Sequence, residues 1–412
     1  MIVGGERGRD LTRLVVSRVG RLAEAGGEGY QLLDAAGGVV EPVGAFFRDL
    51  QASGRSAATL RSYGMDLLRW WRFLAAVDVV WDRAGRIEAR DFSCWIQMAA
   101  KATRSGNGSG PVPSAVNPVT GRSSPGSGYA VSTVVHSETV LRTFYDFHLE
   151  TGVGPLVNPF PLARRAGRVN AHHNPMQPWI GQRVGRYRPR VPRRVPRGVP
   201  DEMFDELFAR LSCDRDRALL AFWVSSGVRA SELLGMRVRD VDPGRQLIAV
   251  VRKGTRAVQQ VPASPDAFVH LRLYQEAMRC LVPAGQDQPV WWTQRRPFRA
   301  LAYHGAHRMF ERVNAVLGSN WTLHDLRHAA ARRMAADRDL PLTHVQAVLG
   351  HAHLSTTQRY LVPDQDEVVE QVMAHHARRA RQVAKPAPPA PGYDPQSLAV
   401  LFDRPLPLDE RP

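Results

Sequence analysis

A chain of 412 residues is too long for one ordinary core and suits two or three domains of roughly 100–200 residues each. Hydrophobic residues at 44% and charged residues at 23% are globular values, which exclude wholesale disorder and a fibrous repeat. The net charge of +16 points to a polyanion, most often nucleic acid, and it is concentrated: residues 151–200 hold ten arginines and no acid, whereas 1–150 carry 17 basic against 15 acidic residues and 201–412 carry 28 against 24.

Residues 1–29 are weakly patterned, and 30–42 read as a short hairpin about an Ala36–Gly38 turn. Val43, Phe46, Phe47 and Leu50 then follow helical spacing. Leu60, Tyr63, Leu67, Trp71 and Leu74 repeat it behind Ser56, a natural N-cap. A third helix is expected near 89–101. Residues 103–128, rich in Gly, Ser and Pro, read as a mobile loop. A fourth helix resumes on Val134, Val140, Leu141, Phe144 and Tyr145, which makes the first part a small helical bundle. A linker over 161–200 ends in RYRPRVPRRVPRGVP, where frequent proline favours extended, polyproline-like backbone. From Asp201 the pattern gives helices near 201–211 and 214–226, then two short strands, 247–251 and 257–261, around a KGT turn. Further helices are expected near 265–281, 303–317, 324–337, 342–349 and 364–382. A Pro-rich tail fills 383–412, and its cluster of Leu398, Leu401 and Phe402 is expected to lack fixed structure. The tryptophans Trp71, Trp223, Trp291 and Trp292 read as packing residues.

Cys94, Cys213 and Cys280 share no CxxC spacing, which argues against a disulfide framework and a thiolate zinc site and fits a reducing cytoplasm. No stretch approaches the ~18–20 apolar residues of a membrane span, and the N-terminus lacks a signal-peptide core, so a soluble protein without a membrane partner is expected.

Five stretches of the second part share one chemical theme. SSGVRASELLG sets Arg229 just before a helix start, where guanidinium and backbone N–H groups can face a phosphate. RKGTR carries Lys253 at a turn tip, one of only three lysines beside 52 arginines. LHDLRH places His324 and Arg327 on one helical face, LGHAH supplies His351, and STTQRY ends in Tyr360. Cleavage of a phosphodiester by a protein hydroxyl calls for this inventory: guanidiniums for the charge growing on the non-bridging oxygens, a proton donor for the leaving oxygen, and an activated nucleophile. Tyr has a pKa near ~10, and a cationic pocket favours its phenolate. His324 and His328, at i and i+4, could alternatively form a zinc pair. No intervening Glu and no third ligand at suitable spacing accompany them.

The blocks SGVRASELLGMRVRDVD, RKGT, HDLRH and LGHAHLSTTQRY resemble, in order, the catalytic domain of the tyrosine recombinase (phage integrase) family. SAATLRSYGMDLLRWWRFL and STVVHSETVLRTFYDFHLETGVGPLVNPF are similar to the family's helical core-binding domain. The resemblance implies a mainly α fold: a SAM-like core DNA-binding domain over 43–160, after an extension over 1–42, and a catalytic domain over 201–382. The latter is mostly helical with a small antiparallel sheet, the DNA breaking-rejoining fold. It further implies Arg229 and Arg327 as phosphate clamps, Lys253 as general acid, His324 and His351 as aids to proton transfer and phosphate binding, and Tyr360 as the nucleophile of a 3′-phosphotyrosine. No cofactor, ATP or metal is expected. The implied partners are double-stranded DNA carrying specific recombination sites and three further copies in a homo-tetramer assembled on it. The two domains would clamp the duplex, with linker arginines Arg183, Arg186, Arg188, Arg190, Arg193, Arg194 and Arg197 on its backbone. The setting expected is the cytoplasm or nucleoid of a bacterium, with the gene bacterial or borne by a phage or plasmid. A topoisomerase IB-like enzyme, a telomere resolvase and a catalytically idle DNA-binding accessory protein are the alternatives.

Overall fold

The structure, a computed structural model, describes residues 9–27, 29–101, 115–124, 126–163, 184–191, 198–360, 365–381, 392 and 394–401. Half of the Gly/Ser/Pro-rich loop, most of the tail, and Arg183, Arg193, Arg194 and Arg197 lie outside them. The chain divides into two compact units, Met1–Arg194 with Glu311–Trp321 and Val195–Phe310 with Thr322–Pro412.

The first unit begins with a hairpin of β1 (Arg21–Ala25) and β2 (Gly29–Leu33), paired antiparallel. The hairpin expected at 30–42 is displaced upstream. Asp34 Oδ1 accepts from the Ala36 and Gly38 amides at 2.9 and 2.8 Å, an Asx turn that sends the chain directly into a helix. Only a Leu33–Val39 bridge pairs across that turn. Among the described residues four α-helices follow: α1 (Glu41–Ala52), α2 (Ala57–Ala76), α3 (Arg86–Met98) and α4 (Val131–Glu150). Ser56 caps α2, accepting from the Thr59 amide at 3.3 Å.

α2 buries more than the expected stripe because it packs on α4, on α3 and on the hairpin together. Leu60, Leu67 and Leu74 are buried, Tyr63 and Trp71 are partly so, and Trp70 is completely enclosed. The Trp70 indole donates to Tyr145 Oη at 2.9 Å, and Tyr145 donates to the Trp81 carbonyl at 2.9 Å. Gly64 sits inside α2, where glycine costs about 1 kcal/mol relative to alanine. A Cβ there would meet Leu22 Cδ1 at 2.5 Å, so its absence lets β1 seat on the helix. Gly185 is equally constrained: a Cβ would fall 1.6 Å from Glu138 Oε1. Here the linker is anchored rather than simply extended, since Leu162 and Gly185 form an antiparallel bridge.

The second unit contains α5 (Asp201–Ala209), α6 (Asp214–Ser226), α7 (Ala230–Leu234), β3 (Val241–Asp242), β4 (Leu247–Val251), β5 (Val258–Pro262) and α8 (Pro265–Met278). After them come α9 (Tyr303–Leu317), whose C-terminal half is counted with the first unit, α10 (Leu323–Ala336), α11 (Leu342–Leu349), α12 (Leu354–Thr357), α13 (Gln365–Arg381) and α14 (Pro395–Leu401). The two expected strands form with a third: β4 pairs antiparallel with both β3 and β5. Ile248, Val250 and Val261 are buried on one sheet face. α14 is helical where the sequence suggested no fixed structure. Beyond its charged first turn, α6 is apolar on all sides and correspondingly central, packed against α8 and α10 with Leu219, Phe222 and Trp223 fully buried. Trp291 is also enclosed, and its indole donates to the Leu233 carbonyl at 2.9 Å.

Candidate active site

Each site residue is held by the end of a helix or strand. α6 stops at Gly227, whose φ of 63° is the left-handed conformation that glycine adopts without strain. Two residues later Arg229 precedes α7, and its backbone N–H and Nη1 donate to Glu232 at 3.0 and 2.8 Å. Glu232 is 5% exposed and also accepts from the Lys253 amide at 3.0 Å and from Arg252 Nη1 at 3.1 Å. Burial alone would raise its pKa, yet the Lys253 and Arg229 amides and the Arg229 guanidinium hold it below the ordinary carboxylate value. One carboxylate thereby fixes the two segments that carry Arg229 and Lys253. The Lys253 side chain stands on the exposed turn and makes no hydrogen bond or ion pair among the described residues.

α10 starts with a capping box in which Thr322 Oγ1 accepts from the Asp325 amide at 3.3 Å and Asp325 Oδ2 accepts from the Thr322 amide at 2.7 Å. Behind this start, His324, Arg327 and His328 share one face. Arg327 is 2% exposed. Its Nη1 donates to the Gly227 carbonyl at 2.6 Å and its Nη2 to the Leu349 carbonyl at 2.7 Å, so one guanidinium meets the carbonyl ends of α6 and α11, the negative ends of two helix dipoles. Nη2 also lies 3.1 Å from His351 Nε2. A guanidinium has five N–H donors, and two remain uncommitted among the described residues. Burial, then Arg229, pushes the Arg327 pKa down to about 10, with Glu232 and Tyr360 acting in the opposite sense. It remains a cation at neutral pH.

His351 follows Gly350, the left-handed cap of α11 with φ 62°. A Cβ on Gly350 would stand 2.8 Å from Arg252 Nε, so this glycine is required for backbone and for space. Because Arg327 can only donate, His351 Nε2 accepts, and its hydrogen sits on Nδ1, 2.9 Å from Thr357 Oγ1. Burial and the charges of Arg327 and Arg229 push its pKa down to about 4, so the ring is neutral at physiological pH. Partial desolvation and Arg327 also lower the pKa of His324.

Tyr360 ends the 3₁₀ turn after α12 and packs against the small cluster of Ala331, Val345 and Leu349. Its ring lies parallel to that of His351, centroids 6.3 Å apart. Its hydroxyl is 2.7 Å from His328 Nδ1. The structure thus brings Arg229, His324, Arg327, His351 and Tyr360 into one electrostatically connected cluster and joins Lys253 to it through the backbone.

Two members escaped the sequence reading. From sequence His328 stands out as the i+4 partner of His324, a spacing that suggests a metal ligand. Its ring lies 4.3 Å from His324, and among the described residues no group of three or more potential ligands surrounds a metal position. Arg252, hidden among 52 arginines, is 5% exposed, pairs with Glu232, donates through Nε to Gln259 Oε1 at 2.7 Å and reaches the Val348 carbonyl. In the first unit, Asp66 is likewise buried, accepting from Ser137 Oγ at 2.5 Å and facing His136 Nδ1 at 2.6 Å, and its hydrogen bond holds the His136 pKa above the ordinary 6.5. Of the linker arginines, Arg186, Arg188 and Arg190 are described, belong to the first unit and are exposed.

A family model described as "Phage integrase family" matches residues 204–367, and one described as "Phage integrase, N-terminal SAM-like domain" matches 43–107. Together they span more than half of the chain. The chain belongs to the phage integrase family of tyrosine recombinases. Among curated relatives, tyrosine recombinase XerC of Mycobacterium sp. (strain KMS) is 33% identical over 147 residues, which cover 35% of this chain and 48% of that protein. XerC of Bradyrhizobium diazoefficiens is 31% identical over 168 residues, 40% of this chain and 51% of the relative. XerD of Yersinia pestis is 28% identical over 166 residues, 40% and 55%. The chain spans about half the length of the curated relatives it matches.

Among solved structures, XerH site-specific recombinase bound to palindromic difH substrate superposes with a TM-score of 0.52 at 16% identity, over 79% of this chain and 82% of that one. The Tn1549 transposon integrase in complex with circular intermediate DNA gives 0.53 at 12% identity, over 81% and 98%. A lambda integrase dimer bound to a COC′ core site gives 0.51 at 15% identity, over 86% and 81%. At these identities the likeness is one of fold: a mainly α architecture with small antiparallel sheets. Among the described residues no helix is long and apolar enough to cross a membrane.

Proposed function

We propose that this chain is a site-specific DNA recombinase that cleaves and rejoins DNA strands through a 3′-phosphotyrosine on Tyr360. The observation that carries the reading is the convergence of the Tyr360 hydroxyl with the Arg327 guanidinium, itself under the influence of Arg229, in one partly buried cluster. A phosphodiester entering it would meet two fixed cations, whose charge favours the transition state as negative charge grows on the non-bridging oxygens. Lys253, on its turn beside Arg229, serves as general acid to the departing 5′ oxygen, and His324 and His351 complete the polar wall. In its neutral form His351 acts by accepting from Arg327 and so aiming that guanidinium. The phosphotyrosine keeps the energy of the broken bond, so rejoining requires no ATP, and the cations supply the charge that a divalent metal would otherwise bring. The named activity of the curated relatives and the DNA complexes formed by the structural neighbours support the same reading.

The partner is double-stranded DNA bearing recombination sites, gripped by the helical bundle over 43–160, the Arg/Pro linker over 161–200 and the catalytic part over 201–382. Exchange between two duplexes takes four active sites, hence a homo-tetramer assembled on DNA, inside a bacterial cell and encoded by the host, a phage or a plasmid. The test is incubation with nicked suicide duplexes built from inverted half-sites flanking the gene. Wild type should give a covalent adduct on denaturing gels and Tyr360→Phe none. An adduct that persists in Tyr360→Phe, or its absence from wild type, would overturn the assignment. Relaxation of supercoiled plasmid without exchange between two labelled sites would instead indicate a topoisomerase-like outcome.

A further inference from the structure

We infer that His328 is the general base of strand cleavage, taking the phenolic proton of Tyr360 through Nδ1. This rests on the reading of Tyr360 as the nucleophile and adds to it the last residue of the HDLRH block, to which that reading gave no role.

The argument is geometric. A general base must stand within about 2.6–3.2 Å of the proton-bearing atom, and His328 Nδ1 is 2.7 Å from the Tyr360 hydroxyl. The other two imidazoles of the cluster are differently engaged. His351 uses Nε2 to accept from Arg327 and Nδ1 to reach Thr357, and it meets Tyr360 by stacking rather than through a nitrogen. His324 lies against the His328 ring, centroids 4.3 Å apart. The position of His328 is firmly set. Its helix begins at the Thr322 capping box, and Gly198 approaches so closely that a Cβ there would meet the Ala329 backbone nitrogen at 2.9 Å and the His328 carbonyl carbon at 3.2 Å.

The step balances simply. The Tyr360 oxygen bonds to phosphorus, its proton passes to His328 Nδ1, and the bond to the 5′ oxygen breaks with that oxygen taking a proton from Lys253. For this, neutral His328 carries its hydrogen on Nε2; in rejoining, the attacking 5′ hydroxyl gives its proton back to Lys253, and the His328 imidazolium returns its Nδ1 proton to the departing Tyr360 oxygen. One residue then acts as base in cleavage and as acid in rejoining.

Two suicide substrates separate this role from that of the leaving-group acid: one with the natural 5′ oxygen and one with sulfur in its place, a leaving group that needs no protonation. His328→Ala and His328→Asn should lose about 100-fold in the rate of adduct formation on both substrates, the lower end of what an acid–base group contributes. Lys253→Ala should be slow on the oxygen substrate and recover on the sulfur one. Added imidazole should restore part of the rate to His328→Ala and none to His328→Asn, while affinity for uncleaved DNA and the melting temperature stay at wild-type values. Rates within threefold of wild type on both substrates would overturn the proposal. So would a defect that sulfur repairs, a loss that imidazole leaves untouched, or one that tracks DNA affinity. An adduct surviving in Tyr360→Phe would instead remove the nucleophile reading beneath it, an outcome read from a different variant.

Discussion

At the scale of single residues, the site shows how one element supplies the constraint for another. Arg327 is buried, and its charge is tolerable only because the carbonyl ends of two helices receive it. His351 sits on the same guanidinium and therefore stays neutral. This gives a stability prediction with a definite sign. The folded pKa of about 4 lies below the ordinary 6.5, so between those values the unfolded chain binds the proton and the folded chain does not. Stability contributed by the neutral ring is therefore full above about pH 6.5 and is lost as pH falls toward 4. Replacing His351 by Gln removes that titration. In denaturant melts at pH 7, 6 and 5, the advantage of wild type over His351→Gln should shrink with each step toward acid. A constant difference would mean that His351 does not titrate in this way. The ring is half-buried, so the change should be modest.

At the scale of elements, α10 carries three residues of the cluster, and its N-terminus depends on Thr322. Substituting Thr322 by Ala removes the acceptor for the Asp325 amide, a change that costs about 1 kcal/mol at helix N-caps. Urea unfolding should show a lower midpoint with an unchanged slope. The rate of Tyr360 adduct formation should fall with it, because His324 and Arg327 lie within the first two turns from that end. Unchanged stability would show that Asp325 alone holds that start. The helices were legible because their apolar spacing is set by local geometry: Val43, Phe46, Phe47 and Leu50 are all buried. β1 was not legible, since its five residues RLAEA carry no strong strand signal and gain their place from β2 and from the space over Gly64. The same division holds within the site. Arg229, Lys253, His324, Arg327, His351 and Tyr360 were singled out as candidates by the order and spacing of their blocks, two of which also contain Arg252 and His328. His328 and Arg252 become meaningful only through partners 32 and 96 residues away in the chain.

At the scale of the molecule, the net charge of +16 resolves into parts with different work. The cations of the site are few and held by Glu232 and by helix ends, whereas the ten arginines of 151–200 have no acid among them. Bound to DNA, arginines of this second kind contact phosphates whatever the sequence and release counterions, so the logarithm of the binding constant should fall with the logarithm of salt by roughly 0.9 per phosphate neutralised. Arg186, Arg188 and Arg190 are exposed, but Arg188 already acts on Glu138 and offers less to an outside anion. Arg186→Gln with Arg190→Gln should therefore lower the salt slope by about 2, weakening binding to a recombination site and to random duplex by the same factor. Fluorescence anisotropy at salt concentrations between about 50 and 200 mM, with both duplexes, reads the slope directly. A slope unchanged by the double substitution would remove these arginines from the interface, and a loss confined to the recombination site would make them readers of sequence instead of backbone. On the proposed function, the adduct rate at saturating DNA should stay at the wild-type value, because Arg186 and Arg190 are distinct from Arg229, Lys253 and Arg327, the cations assigned to cleavage.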